Sequence, residues 1–140
     1  MELRIQKLHE AAVVPTYAHK TDAGLDLCAR EPITVFPGER AQVPTGLAFA
    51  IPEGYVGLIW DKSGISHKGG LKTLGGVIDA GYRGEVFIGI YNTSDEPYTF
   101  AVGDKVAQML IQKVEHPTVV ETDTLEDTER GEGAFGSTGT

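Results

Sequence analysis

The sequence predicts an all-β domain of sandwich, barrel or jelly-roll type, followed by a flexible C-terminal arm. Three observations carry this. Apolar residues fall in short runs instead of long stretches of helical spacing. Turn-forming clusters separate them, at Pro37-Gly38, Pro52-Glu53-Gly54, Ser94-Asp95-Glu96-Pro97 and Gly103-Asp104. Beyond about residue 120 the apolar pattern gives way to Thr, Asp, Glu and then Gly.

Strands are expected at 3–8, 33–36, 46–51, 55–60, 76–79, 85–92, 98–102 and 106–114. Several short strands at close, regular spacing are the mark of a packed β domain. The last segment is ambiguous. Val106, Met109, Leu110 and Val114 fit a helical period, yet the same run also fits a strand buried on both faces; the β context favours strand. The 140 residues make one domain, expected over 1–120, with an arm over 121–140.

Composition narrows the function. Net charge is -8, which disfavours nonspecific nucleic-acid binding. No apolar run approaches the ~20 residues that span a bilayer, so no membrane role is expected. The start, Met1-Glu-Leu-Arg-Ile5, has no apolar signal region, and Cys28 is the only cysteine. A cytoplasmic location is therefore expected. Glu115, Glu121, Asp123, Glu126, Asp127 and Glu129 read as a solvated linker.

Five constellations carry chemistry. Gly131-x-Gly133-x-x-Gly136 matches a dinucleotide fingerprint, but too few residues follow for the required helix. Its glycines, with Arg130, Phe135, Ser137 and Thr138, still suit a phosphate lid with an aromatic stacker. Asp79-Ala-Gly-Tyr82 puts a carboxylate and a phenol on the two arms of a tight hairpin, where a turn-capping Asp and a surface Tyr are the plainer explanation. Lys62-Ser63-Gly64, read as a turn after a strand, can present an ammonium, a hydroxyl and an amide to phosphate. Asp26 stands between leucines: either it is paired with a cation, or it faces outward from an alternating strand. Gln108, in a buried strand, needs hydrogen-bond partners. No Cys/His cluster with metal-ligand spacing is present.

Taken together, in order and spacing, these segments resemble the five motifs of the trimeric dUTPase family. Ala23-Gly-Leu-Asp-Leu27, Lys62-Ser-Gly64, Gly76-Val-Ile-Asp-Ala-Gly-Tyr-Arg-Gly84, Gly103-Asp-Lys-Val-Ala-Gln108 and Arg130-Gly-Glu-Gly-Ala-Phe-Gly-Ser-Thr-Gly139 carry the likeness, which runs over nearly the whole chain. The resemblance implies a β jelly roll (β-clip-like), a homotrimer with sites shared between subunits, and hydrolysis of dUTP to dUMP and pyrophosphate. It implies Asp79 as the base that activates water. Val77, Ile78 and Tyr82 would hold the nucleoside, with Lys62, Ser63, Gly64 and Gln108 on the phosphates. Asp26 would hold waters of an Mg2+ carried by the triphosphate. The arm would place Phe135 and Gly136 on the uracil, and Arg130, Ser137 and Thr138 on the phosphates.

The chain departs from the pattern in three places: Lys62 stands where Arg is usual, Ala134 where Gly is usual, and Gly81 where a second acid is common. Two rival readings follow. A dCTP deaminase of the same fold would carry a glutamate in the strand after the hairpin, where Gly89 stands. A catalytically silent nucleotide-binding module would be expected to lack Asp79, Tyr82 or the arm, and all are present.

Overall fold

A computed structural model of the chain describes residues 1–139. Eleven strands and one short helix follow in order: β1 (Arg4–Lys7), β2 (Leu25–Cys28), β3 (Ile33–Val35), β4 (Arg40–Pro44), β5 (Leu47–Ala50), β6 (Tyr55–Asp61), α1 (Ser63–Gly69), β7 (Leu71–Leu74), β8 (Val77–Ile78), β9 (Phe87–Asn92), β10 (Tyr98–Phe100) and β11 (Lys105–Lys113). Each strand expected from the sequence is present, including β11, where the strand alternative prevails.

Four elements were not anticipated. β2, β4 and β7 run only four or five residues, too few for alternation to stand out, and β4 is polar with a terminal Pro44. The helix α1 replaces the expected turn after Lys62. Its sequence, Ser-Gly-Ile-Ser-His-Lys-Gly, buries no residue and carries two glycines, so neither periodicity nor propensity announces it.

All strand pairs are antiparallel, in four sheets ordered β1-β5, β10-β3, β2-β11-β6-β8 and β4-β9-β7. Among the described residues no strand pairs with its immediate neighbour in sequence. That connectivity belongs to a jelly roll and not to a meander. The longest ladder joins β6 to β11 from Ala107↔Asp61 to Lys113↔Tyr55.

One core unites the sheets. Leu27, Ile59 and Met109 from the larger sheet meet Val43, Leu71, Ile88 and Ile90 from the three-stranded sheet, with Phe49 and Phe100 closing the ends. Burying such side chains stabilises by about 1.5–3 kcal/mol each before entropy is subtracted. The buried Asn92 pins the core to its edge loops. Its Nδ2 donates to the carbonyls of Val35 (2.9 Å) and Glu96 (2.7 Å), and its Oδ1 accepts from the N–H and hydroxyl of Ser94.

Beyond Lys113 no strand or helix occurs among the described residues, and the segment is almost wholly exposed. Among the described residues no helix is long and apolar enough to cross a membrane.

Asn92→Ala strands the buried Val35 carbonyl and removes the acceptor of the Ser94 N–H. It is expected to lower unfolding free energy by about 2–4 kcal/mol, read as a drop in the urea midpoint at unchanged slope.

Candidate active site

The residues singled out from the sequence gather in three places. The first is a cleft lined by Ala18, Asp22, Ala23, Gly24, Asp26, Lys62, Ser63, Gly64 and Gln108, about 300 Å³ in volume. Cross-strand register assembles it: Asp26 lies opposite Gln108 on β11, and Gln108 lies opposite Trp60 on β6, just before Lys62. Gln108 finds the partner its setting requires, since its Nε2 donates to the Asp61 carbonyl at 2.8 Å. Gly24 makes room for that side chain. A Cβ there would stand 2.3 Å from Gln108 Oε1 and 2.9 Å from its Cβ.

Asp26 is paired, not outward-facing. Only 6% of its surface is exposed, and Lys62 Nζ donates to its Oδ1 at 2.5 Å while Lys105 Nζ lies 2.6 Å from Oδ2. Burial alone would raise its pKa, but the ammonium groups of Lys105 and Lys62 outweigh that and hold the carboxyl below its usual range. Lys62 also caps the start of α1, where its carbonyl accepts from Ser66 N–H and no side chain caps the first turn. The leading amides of α1, with Ser63 and Gly64 on the cleft wall, thus suit phosphate oxygens.

Magnesium fits this cleft only as a guest of its ligand. Among the described residues no three His, Cys, Asp or Glu side chains cluster as a metal cage. Asp26 lines the cleft, and its buried Oδ2 lies 2.6 Å from Lys105 Nζ without a well-aligned hydrogen bond, so this carboxylate would suit the waters of a hydrated ion instead of the bare metal.

The second place is the turn at Asp79–Tyr82. Tyr82 N–H donates to the Asp79 carbonyl at 3.1 Å, closing a β-turn around Ala80-Gly81. The flanking arms differ from the expected hairpin. β8 pairs with β6 and β9 with β4 and β7, so the turn carries the chain from one sheet to the other. Among the described residues no backbone bond ladders the 77–79 arm to the 85–87 arm. Val77, Ile78, Asp79, Tyr82, Glu85, Val86 and Phe87 instead line a groove of about 240 Å³ between them. Gly76 sets the entry: its φ is 114°, its carbonyl accepts from Ile59 N–H, and a Cβ would stand 2.9 Å from Ile59 O. The Tyr82 hydroxyl donates to the Glu85 carbonyl at 2.8 Å, and Arg83 ties the tip back through the Ala80 and Tyr82 carbonyls.

The third place is the arm. Arg130, Phe135, Gly136, Ser137 and Thr138 are exposed and touch neither the cleft nor the groove lining. Arg130 Nε donates to Gly133 O at 2.8 Å. Ala134 does not take the left-handed backbone; Phe135 does, with φ 47°. The Gly81 departure is sterically free, because a Cβ there meets nothing within 4 Å.

Sequence reading missed Lys105, Asp22, Phe87 and the Arg30–Glu85 pair. Lys105 was within reach, since a buried acid calls for cations and Lys105 belongs to a segment already singled out. Glu85 gave no signal. Its Oε1 accepts from Arg30 Nε (2.9 Å) and Gly46 N–H (2.7 Å), a contact across 55 residues of sequence for the arginine.

The dUTPase family model matches residues 10–139. The chain belongs to the dUTPase family. It is 47% identical over 129 residues to the deoxyuridine 5'-triphosphate nucleotidohydrolase of Leifsonia xyli subsp. xyli, covering 90% of this chain and 85% of that one. The Clostridium kluyveri enzyme of the same name is 41% identical over 100% of this chain and 99% of its own. Among solved structures, the Staphylococcus bacteriophage 80alpha dUTPase with dUpNHpp superposes with a TM-score of 0.93 at 34% identity, covering 99% of both chains. A mutant dUTPase from phage phi11 of S. aureus, described with a structural Mg(II) ion, gives 0.85 at 33%, covering 91% of this chain and 100% of that one. The jelly-roll expectation is thereby met at the level of the dUTPase fold.

Burial raises the pKa of Glu85, but the Arg30 hydrogen bond and the Gly46 amide prevail and hold it below its ordinary value of 4.5. A carboxyl depressed in the folded state contributes stability above its unfolded pKa and loses it as pH falls through the folded one. Glu85→Gln should therefore lower the urea midpoint at neutral pH, and its midpoint should fall less than the parent's between about pH 5 and pH 3.

Proposed function

We propose that the chain hydrolyses dUTP to dUMP and pyrophosphate, with Asp79 activating the water that attacks the α-phosphorus. The observation that carries the reading is the presence of two complementary half-sites. One is an open-edged turn presenting Asp79 and Tyr82; the other is a polar cleft walled by Lys62, Ser63, Gly64 and Gln108 with Asp22 and Asp26. The dUTPase relatives, and a fold neighbour holding dUpNHpp, support it.

In the groove, the unladdered arms through Val77 and Ile78 offer backbone donors and acceptors to the uracil edge. Cytosine would leave those groups unpaired, which penalises it strongly. Tyr82 packs beneath the deoxyribose and rejects a ribose 2′-hydroxyl by its bulk, held there by the hydrogen bond its hydroxyl donates to the Glu85 carbonyl. Asp79 takes the proton of the water as its oxygen bonds to the α-phosphorus, and the electron pair of the breaking P–O bond leaves with pyrophosphate. Lys62, Ser63, Gly64 and Gln108 hold the phosphates, and positioning with charge neutralisation supplies most of the rate. Magnesium, when bound with the triphosphate, neutralises its charge, and Asp26 holds waters of its shell.

The two half-sites belong to different subunits of a homotrimer in this reading. Asp79 follows β8, which pairs with Gly57 and Leu58, while Lys62 follows the far end of β6. Residues 56 and 62 are separated by roughly 20 Å of extended strand, further than a triphosphate reaches. The outer face of this sheet carries Leu58 beside Val77 and Leu110, with Trp60 and Val77 exposed, as a subunit interface would. The arm then closes over a neighbour's site, bringing Phe135 and Gly136 to the base and Arg130, Ser137 and Thr138 to the phosphates. In this reading the activity keeps uracil out of DNA and supplies dUMP for thymidylate synthesis, and the protein acts in the cytoplasm. Deamination loses support, since Glu85 is held by Arg30 and Gly46 and Gly89 has no side chain.

Asp79→Asn should leave assembly and dUpNHpp binding intact while kcat falls about a thousandfold or more, measured as pyrophosphate release; comparable turnover would remove Asp79 from the role. A complementation assay tests the shared site. Asp79→Asn and Lys62→Ala/Gln108→Ala subunits, each inactive alone, should regain about a quarter of parental activity when refolded together in equal amounts. Absence of recovery in verified mixed trimers would place both half-sites in one chain.

A further inference from the structure

Asp26 faces two ammonium groups where one would neutralise it, and the second is put there by a specific backbone device. β11 pairs Gln108 with Asp26 and Ala107 with Leu27, but then Lys105, not Val106, stands opposite Cys28. This is a β-bulge. Val106 is turned into the core at 1% exposure, and Lys105 swings to the face that Asp26 shares with Cys28. Bulges re-aim side chains, and this one aims Lys105 at Asp26 Oδ2.

The two lysines are not equivalent. Lys62 lines the cleft; Lys105 reaches Asp26 from outside that lining. An arriving triphosphate draws the ammonium on the cleft wall to its oxygens, although Lys105 is the more exposed of the two, 52% against 27%. Were Lys62 the sole partner, its departure would leave a buried carboxylate unpaired, a heavily penalised state. We infer that Lys105 is a positioning residue, the fixed counter-ion of Asp26 that releases Lys62 to the triphosphate. This rests on the reading of the cleft as the triphosphate site. Lys105 touches no ligand itself: it holds the Asp26 carboxylate in place while Lys62 changes partners.

The test is calorimetric titration of the full-length assembled protein with dUpNHpp plus Mg2+, and separately with dUMP, which lacks the phosphates Lys62 would hold. Lys105→Met should weaken dUpNHpp by about tenfold or more and leave dUMP unchanged. In turnover it should raise KM for dUTP more than it lowers kcat. Lys105→Arg, which preserves the charge, should restore most of the loss, and Lys105→Gln serves where the methionine variant is unstable. Unchanged dUpNHpp affinity in the folded Met or Gln variant, or equal loss of both ligands, overturns the inference. The underlying reading fails differently: the parent would then bind dUpNHpp no tighter than dUMP, and Lys62→Ala would change neither.

Discussion

The β6–β11 ladder is the constraint on which the rest depends. It runs unbroken from Ala107↔Asp61 to Lys113↔Tyr55 and joins the phosphate cleft to the turn that carries Asp79. One end delivers Lys62, Ser63 and Gly64 beside Gln108. The other supports β8, which delivers Asp79. A continuous antiparallel ladder is stiff and its register is fixed by the burial of Ile59 and Met109, since a one-residue slip would turn both outward. The distance between the half-sites is therefore not adjustable by loop motion, which is why the proposed function draws them from two copies.

Around that ladder, the site is built from close approaches that larger residues would block. Gly24 lets Gln108 lie against β2, and Gly76 lets the chain turn beneath Ile59. The turn after Gly76 then leaves its two arms unladdered because each is committed elsewhere: β8 to β6, and Val86 to Leu47 through its N–H and to Thr45 through its carbonyl. An antiparallel hairpin would satisfy its own backbone groups. Arms held apart by two different sheets keep a base-reading edge available, at the expense of needing outside anchors such as Arg30–Glu85 and Arg83.

These features explain what the sequence could and could not disclose. The strands with several apolar residues at short period, such as β6, β9 and β11, were legible because their pattern reflects burial. β2, β4, β7 and α1 were not, since four to seven residues of mixed polarity carry no period. Asp26 was legible as an anomaly, a charge among leucines, but its partners lie 36 and 79 positions away and only the fold brings them together. The bulge at Val106 illustrates the limit. Nothing in Lys105-Val-Ala-Gln108 marks a break in alternation, because Val106 and Ala107 are both apolar and either could face the core. The motif set, by contrast, was legible through resemblance, and the family match over residues 10–139 agrees with it.

The placement of charge follows from the same geometry. A protein of net charge -8 that handles a polyanion must concentrate cations where the anion sits. Lys62 is the cation on the cleft wall, and Asp26 pairs with it. A guanidinium at position 62 would fork across both oxygens of Asp26 and bind phosphate in two directions. An ammonium is a point charge that makes either contact but organises neither as strongly, so it benefits from a second cation that fixes the carboxylate. Lys105 meets that need. The Lys62 departure and the doubly paired Asp26 are therefore parts of one arrangement, in which the hydrogen-bonding geometry lost with the fork is offset by a second ammonium delivered through a bulge.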